Sequence, residues 1–365
     1  MSSRPSRRAR AGQWLLLAAV AGCAWYLAHT AAANLRRHDM GFGFGFLLDH
    51  ANFDIPFRLI AWHDGDTYLR ALLLCVLNTL LVSALAIVAA TAGGLLVGIM
   101  RLSRNWLVRH IALVFVELVR NTPQLVQIIF WYVAVLQTLP GPRQSFVLPL
   151  GALLNVRGLY LPVLRAGDFT GALAALAAVA LAAALLLRRR LGARGLIAPA
   201  LLAAACLASA AGLQRPALRG FNVAGGVQVP PELVALWAGL SLYAAAFIAE
   251  IVRAAILAVE RGQREAAASL GLRPAQVLRR VVLPQALRVM VPPLTSQYLN
   301  IIKSSSLGAA VAYPELFQIF AGTVLNQSGR EVETIVILMA IFLAISLLTS
   351  AGMNWYNRRV ALVGH

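Results

Sequence analysis

The chain has 365 residues, of which 60% are hydrophobic and 13% charged, with a mean hydropathy of +0.74; this is too apolar for a soluble protein of that size and suits a lipid bilayer. A net charge of +18 does not point to nucleic acid, because the basic residues punctuate apolar runs instead of gathering on one polar surface. Cys23, Cys75 and Cys206 all fall in apolar segments, and an odd number of such thiols offers no disulfide framework.

About 20 apolar residues, rising roughly 1.5 Å each, cross a hydrocarbon core of about 30 Å. Runs that approach or exceed this length occupy 14–33, 71–100, 107–137, 171–187, 195–213, 232–257, 289–324 and 333–352. They predict an all-α, polytopic membrane protein with about eight transmembrane helices. Arg4, Arg7, Arg8 and Arg10 before the first run have the layout of a signal peptide. The run is longer than a signal's apolar stretch and lacks a clear cleavage site, which favours a retained helix over a cleaved signal.

Basic residues then mark every second loop: Arg101, Arg104 and Arg109; Arg188, Arg189, Arg190 and Arg194; Arg261 to Arg288; and finally Arg358 and Arg359. By the positive-inside bias these loops and both termini are cytoplasmic. The loops 34–70, 138–170 and 325–332 are then external, and the Gly/Phe alternation over 41–46 is expected at headgroup depth. Runs four and five are nearly all Ala, Leu and Val, so about 140–230 reads as an inserted, lipid-facing hairpin of two helices. The seventh run contains Pro292, Pro293 and Pro314 and is expected to be a broken helix. Irregular backbone at membrane depth is tolerated only against protein or water.

The basic loop 258–288 carries the most specific pattern: Glu265-Ala266-Ala267, three residues, Gly271, nine residues, Val281, one residue, Leu283-Pro284. Gly271 suits the left-handed end of one helix and Pro274 the first turn of the next. Together they predict a helix-turn-helix on the cytoplasmic surface, with Ala266, Ala267 and Gly271 small enough for close approach of a partner and Glu265 setting register by charge. Composition alone also fits a plain headgroup-binding helix, but a spaced pattern of this length outweighs that reading. The pattern resembles the EAA signature of ABC importer permeases, with Val281 where isoleucine is usual.

The resemblance extends over about 71–352, the core of a type I ABC importer permease, and is greatest to the polar amino-acid branch and its general L-amino-acid permeases. Arg120-Asn-Thr-Pro-Gln-Leu-Val-Gln127, Phe130-Trp-Tyr132, Ala249-Glu-Ile-Val-Arg-Ala254, Pro293 to Tyr313 and Asn354 to Val360 carry it. It implies a basic terminus and first helix over 1–33, an external segment 34–70, the permease domain 71–352 with its inserted hairpin, and a tail 353–365. It also implies a bacterial inner-membrane subunit that moves amino acids inward. Its partners would be ABC ATPase subunits holding ATP and Mg, a second related permease in a heterodimer, a periplasmic amino-acid-binding protein and membrane lipid. No Walker A sequence, GxSxG, HExxH or CxxC occurs, so neither a catalytic nor a metal site is expected.

Polar residues in or near the spans have two readings each. Glu117 with Arg120, and Glu250 with Arg253, are three apart on predicted helices; they are either local ion pairs or bridges near an inner gate. Lys303, the only lysine, lies between Asn300 and Ser304-Ser305-Ser306 and would hold either a substrate carboxylate or an unwound backbone carbonyl. Asn121, Gln124 and Gln127 line the pathway or join helices. Gly94 and Gly98 have the spacing of close helix packing. The rival function is a secondary transporter driven by an ion gradient, which predicts repeated halves that the short Glu-Leu-Val-Arg and Glu-Ile-Val-Arg echoes do not amount to.

Overall fold

The computed structural model describes residues 13–23, 25–26, 29–30, 43–63, 65–166 and 211–360. Apolar runs become helices where expected: α1 Gln13–Cys23, α2 Tyr68–Met100, α3 Trp106–Arg120, α4 Gln124–Leu136 and α5 Pro231–Leu257. They continue with α6 Arg261–Ser269, α7 Pro274–Val277, α8 Leu283–Ser304, α9 Leu325–Ser328 and α10 Glu331–Val360. Among the described residues α2, α5 and α10 are long and apolar enough to cross a membrane, and α3 with α4 makes a fourth candidate if counted as one bent span.

The central pair is α2 against α5. Leu236, Leu240, Ala244, Ile248 and Val252 recur at four-residue intervals along α5 and are buried, the repeat that lines one helical face. Gly94 and Gly98 let α2 approach that face. A Cβ on Gly94 would stand 2.5 Å from Ile248 Cβ, and one on Gly98 2.8 Å from Val252 Cβ, so the close-packing reading of this spacing holds. One core joins α2, α5 and α8 and takes in Ala267, Val277 and Val282 from the loop between α5 and α8.

Three expectations change. The run 107–137 is not one straight helix, since α3 and α4 meet at 104°. Pro123 cannot donate a helical N–H, and it disfavours helical backbone at Thr122. In the seventh run α8 continues through Pro292 and Pro293. The break comes later, in a tight turn Ser305–Val311 followed by Ala312 in left-handed backbone at φ 57°. The insertion is not purely helical: β1 Phe146–Val147, β2 Leu153–Asn155, β3 Gly158–Leu161 and β8 Val227–Val229 form an antiparallel sheet in the order β1-β2-β3-β8. Antiparallel hairpins β4 Val163–Ala166 with β5 Ala211–Gln214 and β6 Ala217–Arg219 with β7 Asn222–Ala224 accompany it. The helix expected over 171–187 lies outside the described residues. That over 195–213 does too, except its last three residues, which belong to β5.

Residues 43–67 fold back on the bundle. Phe46, Ala51, Ile55 and Trp62 share a second core with Tyr68 and Leu74 of α2, Phe320, and Ile337 and Leu338 of α10. Phe46 is therefore packed inside and not at a headgroup surface, while Phe44 is 43% exposed. Trp62 Nε1 donates to Phe53 O at 3.2 Å, and Asn78 Nδ2 donates both to Phe57 O at 3.0 Å and to Pro314 O at 2.8 Å. One α2 amide thus ties this segment to the broken seventh run.

Candidate functional site

The loop between α5 and α8 forms an elbow. The N–H of Gly271 donates to Ala268 O at 2.9 Å and that of Leu272 to Ala267 O at 3.3 Å. This paired ending satisfies the last carbonyls of α6 and needs left-handed backbone at the glycine, where φ is 78°. Pro274 opens α7, and Gln276 Oε1 accepts from the Arg273 N–H at 2.9 Å. A π-helical stretch Leu278–Val282 then leads into α8 at Leu283-Pro284.

Glu265, Ala266, Gly271 and Pro284 are exposed, and Val281 and Leu283 half-buried. Leu270 is 82% exposed at the tip. Ala267 differs from expectation: it is buried in the core shared with α2, α5 and α8, so its smallness serves packing against the bundle and not approach from outside. Arg264 donates to Ile256 O near the end of α5, where a cation meets the negative end of the helix dipole. The elbow has one face free and the other fastened to the membrane helices.

Of the two expected ion pairs one is present and enlarged. Glu250 bonds Arg253 at 3.0 Å and also Arg101 at the end of α2; it therefore bridges α2 and α5 as well as making a local pair. Arg101 had no marker in the sequence beyond the positive-inside bias, because its partner is 149 residues away. Glu117 and Arg120 form no ion pair. Glu117 accepts from Asn121 at 3.4 Å, and the Arg120 guanidinium lies 5.0 Å from the centre of the Phe247 ring.

The expected pathway residues separate. Asn121 Nδ2 donates to Glu117 O at 2.7 Å, and Gln127 Nε2 donates to Val119 O at 2.9 Å and Thr122 O at 3.1 Å. Both amides satisfy carbonyls at the α3–α4 bend. Gln124, Asn300 and Ser304 instead meet in a cavity of about 110 Å³, together with Tyr243, Phe247 and Gln297. Gln297 escaped notice in the sequence although Gln297, Asn300 and Ser304 fall on one helical face. Ser305 and Ser306 return their hydroxyls to Ile302 O at 2.7 Å and Lys303 O at 2.9 Å. Lys303 is exposed, and its ammonium bonds no carbonyl among the described residues.

A bundle with a broken helix, a polar cavity beside α5 and an elbow anchored on one face defines a polytopic membrane protein. The chain belongs to the family described as binding-protein-dependent transport system inner membrane components, whose model matches residues 90–362. Its members are permease subunits of ABC importers, and such a subunit is not itself an enzyme.

Over 99% of its length the chain is 48% identical to the putative amino-acid ABC transporter permease protein YhdX of Escherichia coli, covering 96% of that protein. The general L-amino acid transport system permease protein AapQ of Rhizobium johnstonii is 42% identical over 98% of this chain and 94% of its own. The glutamate/glutamine/aspartate/asparagine transport system permease protein BztB of Rhodobacter capsulatus is 38% identical over 95% and 92%. A solved amino acid ABC transporter with histidines superposes with a TM-score of 0.51 at 20% identity, over 80% of this chain and 95% of that one. That likeness extends to the fold.

Proposed function

We propose that this chain translocates L-amino acids from periplasm to cytoplasm, paired with a second, related permease and driven by ATPase subunits that dock on the exposed face of α6 and α7. ATP and Mg reside on those ATPases. In this reading both termini are cytoplasmic, and the sheet and residues 43–67 lie on the periplasmic side to meet an amino-acid-binding protein. The amino-acid cargo is supported by the near full-length relatives named above.

The observation that carries the reading is the elbow: Glu265, Ala266 and Gly271 face outward while Ala267 and Val277 belong to the bundle core. A push on the free face moves α8 and the end of α5 together, because the elbow packs into both. Glu250 extends that connection to α2. The cavity at Gln124, Asn300 and Ser304 supports a polar pathway beside α5, and exposed Lys303 supports a cation available to a solute carboxylate or to the partner permease.

The test is Glu265→Lys in the assembled transporter. ATPase subunits are expected to co-purify poorly and uptake of radiolabelled L-glutamine to fall to background. A complex that assembles and transports at the unmodified rate would remove the basis for this assignment.

A further inference from the structure

A cavity of about 980 Å³ opens at the beginning of α5, at the opposite end of that helix from the elbow. Residues 56–59, the Val156–Arg157 turn, residues 226–228, the first turn of α5 and Pro314 line it. It therefore lies between the sheet, the folded-back segment and the break in the seventh run. None of its walls belongs to the polar cavity at Gln124.

Two opposite charges in this lining have no ion-pair partner among the described residues. Glu232 accepts a hydrogen bond from the Tyr132 hydroxyl at 3.0 Å, and Arg157 donates to the side-chain oxygen of Asn222. Both partners are neutral. They orient the charged groups without cancelling them. Neither residue has an ion pair within 4.0 Å among the described residues, so they do not pair with each other. The third charge, Arg58, is already matched by Asp54 at 3.6 Å. Glu232 also sits in the first turn of α5, beside the unpaired N–H groups at the positive end of the helix.

A solute bearing both an ammonium and a carboxylate answers both groups at once through charge-assisted hydrogen bonds. A monoion satisfies one and leaves the other. We infer that Glu232 and Arg157 form a zwitterion-binding antechamber at the mouth of the pathway, Glu232 taking the ammonium and Arg157 the carboxylate of an α-amino acid. This rests on the amino-acid reading above and adds to it where the solute is first held. Both recognised groups are common to all α-amino acids, and the cavity is wide enough to leave the side chain unread. The site therefore selects a class and not a member, with weak affinity.

The experiment uses the full chain in lipid nanodiscs with radiolabelled L-glutamine as the probe, alongside glutamine uptake by the assembled transporter with its binding protein. Saturable binding is expected, displaced by glycine but not by propionate or ethylamine. Glu232→Gln and Arg157→Gln should each weaken it about tenfold or more, and Arg157→Lys should retain most of it. Glu232→Gln keeps an acceptor for Tyr132, so an unchanged melting temperature separates lost charge from lost fold. Equal binding by both glutamine variants, or displacement by propionate or ethylamine as strong as by glycine, would overturn the antechamber. No saturable binding despite normal glutamine uptake would also overturn it and leave the amino-acid assignment standing. Absence of amino-acid uptake by the assembled transporter would end both.

Discussion

Glu250 concentrates more of the connection between helices than any other charged residue described. Its side chain is 21% exposed and that of Arg101 12%, so the pair is largely withdrawn from water and removal of one partner leaves the other uncompensated. Glu250→Gln is expected to destabilise the chain by about 3 kcal/mol, read as a lower thermal midpoint in detergent. An Arg101→Met, Glu250→Leu double variant should recover part of the loss, since the apolar replacement strands only Arg253, whose side chain is 33% exposed to water. A midpoint unchanged in the single variant would mean that the bridge contributes nothing. The spacing of Glu250 and Arg253 was legible as an i, i+3 pair. The bridge to Arg101 was not, because no local periodicity connects residues so far apart in the chain.

At the scale of elements, the elbow was the most readable part. Its turn chemistry is local: a glycine that accepts left-handed backbone, and a proline that opens the next helix. Gly271 has open space around the position a Cβ would take, and its φ is 78°. Gly271→Ala is therefore opposed by backbone strain alone, costing about 1–2 kcal/mol. The measurable outcome is weaker co-purification of the ATPase with little change in the melting temperature of the remaining bundle. A large drop in melting temperature would show instead that the turn holds the bundle together. The α3–α4 bend was less readable, although Pro123 stood in view, because a proline permits a kink without setting its 104° angle. That angle is held by Gln127 reaching back to Val119 and Thr122.

At the scale of the whole molecule, two cores divide the work, one joining α2, α5, α8 and the elbow, the other joining residues 43–67 to α2 and α10. Asn78 stands between the folded-back segment and the seventh run, with its amide nitrogen shared by Phe57 O and Pro314 O. Asn78→Leu strands both carbonyls at once, and unsatisfied buried groups cost about 1–3 kcal/mol each. Limited proteolysis within residues 43–67 should accelerate in that variant while cleavage at the elbow stays unchanged. Equal protection of 43–67 in both proteins would show that Trp62 and Ile55 hold the segment without the amide.

Hydropathy, the alternation of basic loops and the glycine–proline spacing of the elbow are properties of contiguous residues. The amino-acid sequence by itself therefore determined a membrane-embedded helical bundle and the helix-turn-helix geometry of the elbow. Which polar residues meet was decided only in three dimensions. The rotation of α8 brings Asn300 and Ser304 to Gln124 and leaves Lys303 outside their cavity. The bend before α4 turns Asn121 and Gln127 toward backbone carbonyls, and the sheet carries Arg157 to the cavity that Glu232 faces. Each of these placements depends on contacts between segments remote in the chain, where neither spacing nor composition carries information about distance.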